Sequence, residues 1–139
     1  MDEKYTHQLF TLGIGCRAVC TASQLDAFIR ARLDQAAITP QHIVALATWA
    51  SRLHHPAITA LATAYGWPLD AYTTEALHTV ESRLHHRSQS LFERTGLYNI
   101  AESAALYAAD EIGTSLAEIA LPRQEMPVAT LALARIHTA

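Results

Sequence analysis

Leu9-Phe10-Thr11-Leu12-Gly13-Ile14-Gly15-Cys16-Arg17, with Thr21-Ala22-Ser23-Gln24-Leu25 just behind it, is the stretch whose reading decides the fold. The run from Leu9 to Ile14 is short and apolar and is followed by Gly15, which predicts a buried strand. Gly13-x-Gly15 reads as a turn behind that strand, with the Arg17 guanidinium beyond it. Thr21-x-x-Gln24 fits a capping box, so a helix is expected to start there. At such a strand–loop–helix junction, backbone N–H groups and a cationic side chain converge on an anion.

Working outward, the same order recurs. Leu25, Phe28, Ile29, Leu33 and Ala36 lie at three- and four-residue steps, which marks one apolar helix face. Thr39-Pro40 stops that helix, because proline disfavours the helical conformation in the residue before it. Ile43 to Trp49 is apolar except for Thr48. Continuous rather than alternating apolarity suggests a strand covered on both faces, as in parallel sheets. Ser51 to His55 form the loop behind it. Pro56 suits a first helical position, Ile58, Leu61, Ala62 and Tyr65 give the next apolar face, and Gly66 ends it.

Leu69 to Tyr72 is a short strand, and Thr73 or Thr74 caps a short helix. Residues 81–95 are polar and read as a flexible loop anchored by Leu91 and Phe92. Asn99-x-x-Glu102 resembles another capping box, and Ala101, Ala104, Ala105 and Ala108 give the following helix a small-residue face able to approach a sheet closely. Ala117 to Leu121 is a short strand, and Pro127 to Ile136 the last one. The expected fold class is therefore α/β: a three-layer α/β/α sandwich with a mixed, mostly parallel sheet of about five strands, the last of them antiparallel. One domain spanning 1–139 is expected, with residues 1–7 as a loose segment.

Bulk composition narrows the function classes. Charged residues make up 17% of the chain and hydrophobic residues 50%, which excludes a disordered tail protein. The formal net charge is −3 and no Lys/Arg-rich run exists, so no basic field attracts nucleic acid. No apolar run reaches the length of a membrane span. Met1-Asp2-Glu3-Lys4 lacks the order of a signal peptide, so a cytoplasmic protein with reduced Cys16 and Cys20 is expected. The C-x3-C spacing is neither a zinc-ribbon pair nor a redox C-x-x-C. His54-His55 and His85-His86 lack metal-ligand spacing, so no metal is expected. Gly13-x-Gly15-x-x-Ala18 matches the relaxed dinucleotide fingerprint, but the helix starts too late and no acidic residue ends the second strand. No cofactor is expected.

Arg17, Arg52 and Arg123 each follow a strand of this reading. Guanidinium groups pair with carboxylates in a bidentate fork, so the loops are expected to bind a polycarboxylate together, framed by Gly13, Gly15, Cys16, Arg17 and Thr21 and gripped by Arg52 and Arg123. Cys16 sits next to Arg17 and near a helix start, features that lower a thiol pKa and suit a nucleophile. His55 beside Arg52 is a candidate proton handler. Glu102 is a candidate general base, and its place three after Asn99 explains it equally well as half of a capping box.

These residues also carry a family likeness. Leu12-Gly13-Ile14-Gly15-Cys16-Arg17, then Leu46-Ala47-Thr48 with Arg52 and Pro56 beyond, resemble the CobE/CbiG C-terminal domain family of cobalamin biosynthesis, most of all its free-standing form. So do Gly96 followed by Ile100-Ala101-Glu102-Ser103-Ala104-Ala105-Leu106, and the ending Thr130-Leu131-Ala132-Leu133-Ala134-Arg135. The resemblance implies a mixed-sheet α/β/α domain that binds or processes a precorrin-type tetrapyrrole, a macrocycle bearing many acetate and propionate arms. It also implies other cobalamin-pathway enzymes as partners. In longer family members the implied reaction is hydrolysis of a cobalt-precorrin ring-A lactone with release of acetaldehyde. The alternatives for this chain are a lactone hydrolase of that kind or a non-enzymatic carrier of pathway intermediates. Where the family pattern places an acidic residue before the proline, this chain has His55, and a late family lysine is Arg123 here.

Overall fold

The structure, a computed structural model, describes residues 8–138; the reading of residues 1–7 lies outside them. Five strands form one sheet: β1 (Phe10–Cys16), β2 (Ile43–Trp49), β3 (Leu69–Tyr72), β4 (Ser115–Met126) and β5 (Ala129–His137). Their spatial order is β3-β2-β1-β5-β4. β1 pairs parallel with β2, and β2 with β3. β5 runs antiparallel to both β1 and β4, so four of the five strands point the same way. This is the mixed α/β sheet expected, with its antiparallel strand last.

The order within β1 explains the layers. Phe10, Leu12, Ile14 and Cys16 pack into one core cluster with Leu25, Phe28, Ile29 and Leu33 of α1 (Ala22–Gln35) and Ile58 and Leu61 of α2 (Pro56–Tyr65). The alternate residues meet α5 (Ile100–Ile112) on the opposite face. Thr11 donates its hydroxyl to the Ala105 carbonyl at 2.6 Å. A Cβ on Gly13 would lie 1.9 Å from the Ala101 carbonyl oxygen, so only glycine lets this helix lie so close. The apolar run thus hides a two-residue alternation, large toward α1 and α2, small toward α5.

That alternation corrects one expectation. Gly13 and Gly15 are not a turn: both lie inside β1, opposite Ala132 and Thr130 of β5. The loop begins at Arg17. A dinucleotide fingerprint needs its glycines beneath a helix N-terminus, and here the one fitted against Gly13 is the side of α5.

The helix boundaries follow local chemistry. Thr21 and Gln24 form the reciprocal capping box of α1. His55 caps α2, Pro56 occupies its first turn, and Gly66 closes it at φ 70°. Thr73 caps the short α3 (Thr74–His78). The stretch 81–95 is more ordered than the sequence reading: a 3₁₀ turn at Glu81–Arg83 is followed by α4 (Gln89–Thr95), capped by Ser88 and ended by Gly96 at φ 80°. The strand expected over 117–121 extends to Ser115–Met126. Pro122 fits inside it because β4 is an edge strand, and several register shifts against β5 mark bulges.

Candidate functional site

Beyond the carboxyl ends of β1 and β2 lies a hollow of about 310 Å³. This is where ligands sit in open α/β sheets. Gly15, Cys16 and Arg17 line it from β1 and its loop, and Trp49 and Arg52 from β2 and the 3₁₀ turn behind it. Arg123 and Glu125 come from the end of β4, Ala129 and Thr130 from the start of β5, and Asn99 and Ile100 from the N-terminus of α5. α4 closes the remaining side with Leu91, Arg94 and Thr95.

Arg17, Arg52 and Arg123, chosen from sequence as strand-end cations, therefore line one hollow together. Arg94 joins them and was missed, because residues 81–95 read as a loop. The signal was present in Ser88-x-x-Leu91, a cap before a leucine, with Gly96 closing the helix eight residues after the cap. Among the described residues none of these four arginines has a carboxylate within ion-pair distance, whereas Arg30, Arg83 and Arg135 do. Arg52 is held by its Nε, which donates to the Cys16 carbonyl at 2.8 Å. The Nε of Arg94 donates to the Ser90 carbonyl at 3.3 Å. The hollow thus gathers four cations against one lining carboxylate, Glu125, in a chain whose formal net charge is −3.

The expected proton handlers are placed differently. His55 is 8% exposed and does not line the hollow. Its Nδ1 accepts the Ala57 N–H at 3.1 Å, and its Nε2 lies 2.8 Å from the Arg17 carbonyl oxygen. The network therefore assigns the proton to Nε2, which donates to that carbonyl. His55 thus caps α2 and fastens the Arg17 loop to it. With the proton already on Nε2, the ring has no lone pair left for the Cys16 thiol 3.4 Å away.

Cys16 does line the hollow, but its environment reverses the expectation of a lowered pKa. Burial, then the neighbouring Cys20, push the thiol from 9.0 up to about 12, against a smaller opposing effect of Arg52. A neutral thiol is a poor nucleophile. Native Cys16 is expected to alkylate with iodoacetamide at pH 8 on the order of a thousandfold more slowly than in the urea-unfolded chain, one decade for each unit of raised pKa. Mass spectrometry after timed quenching checks this; equal rates refute it. Unfolded thiols ionise first, so this group's contribution to stability falls as pH climbs from 9 toward 12.

Glu102 is fully buried and also absent from the lining. Its N–H donates to the Asn99 side chain as a cap requires, but its carboxylate does not return to Asn99. One oxygen accepts the His85 and His86 N–H groups at 2.6 and 3.3 Å, and the other accepts the Arg123 N–H at 2.8 Å. Both oxygens are occupied by backbone, so the carboxylate fixes neighbouring segments rather than moving a proton. Asn99 reinforces it, with Nδ2 donating to the His86 carbonyl, and the Ser88 N–H donates to the Tyr98 carbonyl. The segment carrying Arg94 is pinned at its base to the residues that also position Arg123.

Gly13 and Thr21, expected to frame the ligand, lie away from the hollow as well. Gly13 is covered by α5, and exposed Thr21 serves the α1 capping box; neither lines the hollow. Among the described residues no group of three metal-ligating side chains clusters, and no helix is long and apolar enough to cross a membrane.

An α/β/α sheet with a cationic hollow at its strand ends defines the class of protein. The chain belongs to the family described as cobalamin synthesis G C-terminus, whose profile matches residues 10–134. It is similar to Protein CobE of Sinorhizobium sp, with 33% identity over 98 residues, covering 70% of this chain and 64% of that protein. It is 24% identical over 102 residues to the cobalt-precorrin-5A hydrolase of Priestia megaterium, covering 73% of this chain and 27% of the hydrolase. The chain thus spans less than two thirds of the length of these curated relatives. Its fold superposes on the 1.7 Å crystal structure of CobE, a protein from the cobalamin (vitamin B12) biosynthetic pathway, with a TM-score of 0.88 and 31% identity, covering 96% of this chain and 94% of the other.

Proposed function

We propose that the chain serves cobalamin biosynthesis by binding a precorrin-type tetrapyrrole through its carboxylate arms, as a carrier without covalent chemistry of its own. The observation that supports this reading most is the set of four arginines around one hollow with no carboxylate partner among the described residues. A guanidinium with no protein carboxylate against it is available to form a charge-assisted, bidentate pair with an incoming one. The N-terminus of α5, with Asn99 and Ile100 at the wall, adds partial positive charge. Against hydrolysis by this chain alone stand His55 and Glu102, both engaged elsewhere, and the neutral thiol of Cys16.

Titration with uroporphyrin III, a stable octacarboxylic tetrapyrrole, followed by visible absorbance, tests the reading. Arg17→Ala is expected to weaken binding more than tenfold, or about 1.4 kcal/mol, for loss of a charge-assisted pair. Arg17 is exposed, so the variant keeps its fold. Unchanged affinity overturns the arginine grip. Turnover of a precorrin lactone by the purified chain with no other protein present overturns the carrier reading in favour of the hydrolase.

A further inference from the structure

We infer that the hollow is built for one pyrrole ring of the macrocycle, held as a dicarboxylate through its acetate and propionate arms, with the other three rings left outside. The inference rests on the tetrapyrrole reading above and narrows it. Size is the first observation. A macrocycle with eight carboxylate arms has about sixty non-hydrogen atoms and at the packing density of organic solids fills on the order of 1,000 Å³. The hollow is half open to solvent and its enclosed part is about 310 Å³, so a macrocycle of that size seats in it only in part. A single pyrrole with one acetate and one propionate has roughly a quarter of those atoms and fits.

Charge is the second. Four guanidiniums less the Glu125 carboxylate leave an excess of three positive charges, enough for the two carboxylates of one ring and far short of eight. Arg52 and Arg94 have each given their Nε to a backbone carbonyl, at Cys16 and Ser90. What they still offer is the pair of terminal amino groups, a fork that matches one carboxylate. The third is the lining between the cations. Ile100, Met126 and Val128 supply an apolar surface for a flat ring. The remaining rings then stay open to solvent or to a second protein.

Isothermal calorimetry with three probes tests this on the full chain: porphobilinogen, which is a monopyrrole with one acetate and one propionate; its dimethyl ester; and uroporphyrin III. Porphobilinogen is expected to bind and to compete with uroporphyrin III, and the ester to bind at least ~10-fold more weakly, since it cannot form charge-assisted pairs. Arg94 is exposed on α4, so Arg94→Ala keeps its fold. It is expected to weaken both acids by a similar factor, roughly five- to tenfold. If uroporphyrin III binds while porphobilinogen neither binds nor competes, the single-ring inference falls and the tetrapyrrole reading stands. If porphobilinogen binds and uroporphyrin III does not, or if neither binds, the tetrapyrrole reading itself falls and takes the inference with it.

Discussion

Gly13→Ala is expected to abolish the native fold. The added methyl would lie 1.9 Å from the Ala101 carbonyl oxygen and 2.8 Å from the Ala105 backbone nitrogen. Neither is the movable end of a side chain, so relief requires α5 to lift from the sheet. That helix packs on β1 through Ala101 and Ala105, both fully buried. Lifting it opens voids along the whole contact. Ordinary overpacking costs about 1–3 kcal/mol. A backbone-to-backbone collision exceeds that, and more than ~5 kcal/mol approaches the whole stability of a small domain. Urea denaturation followed by circular dichroism measures it. Gly66→Ala is the control: its methyl meets nothing within 4 Å, and only the φ of 70° resists it, at about 1 kcal/mol. Should both variants lose the same small amount, the close approach of α5 to β1 is wrong.

Glu102→Ala is expected to be the most damaging change to a charged residue. It leaves the N–H groups of His85, His86 and Arg123 without the acceptor they share. A hydrogen bond to a charged group is worth about 1.5–3 kcal/mol, so losing three of them, one long, costs at least ~3 kcal/mol. Glu102→Gln keeps one acceptor oxygen but turns an amide N–H toward backbone N–H groups, so it recovers only part. The same measurement on both variants gives the order wild type, Gln, Ala. Equal stability of Glu102→Gln and wild type would mean the carboxylate is not held by backbone on both oxygens. Because Arg123 and the base of the α4 segment hang on this one carboxylate, uroporphyrin III affinity is expected to fall in Glu102→Gln, a residue that never touches the hollow.

These two positions show where a linear reading stops. Gly13 was visible as a glycine in an apolar run, but a turn and a close helix approach leave the same trace. What distinguishes them is α5, nearly ninety residues later in the chain. Glu102 was visible as the third residue after Asn99, and the cap bond is present. Its carboxylate, however, is claimed by His85, His86 and Arg123, which no local pattern connects. Cys16 gave the opposite sign for a related reason. A neighbouring arginine is written in the sequence, whereas burial, the larger effect here, is not.

Ser51-Arg52-Leu53-His54-His55 and Ser82-Arg83-Leu84-His85-His86 carry the division in one comparison. Each opens in a 3₁₀ turn where the sequence read only as loop, whereas local chemistry determines the caps at Thr21, Thr73 and Asn99, the stop at Gly66 and the alternation of strand with helix. Those depend on residues within a few positions of one another, and the sequence alone sufficed for them. The roles of the two pentapeptides were decided only in three dimensions. Arg52 lands beside the Cys16 carbonyl and faces the hollow, while Arg83 is taken up by Asp110 and the Ala117 carbonyl. His55 caps a helix, and His86 offers its backbone to Glu102 and Asn99. A guanidinium serves as a ligand grip or as a structural clamp according to whether the fold sets a carboxylate against it.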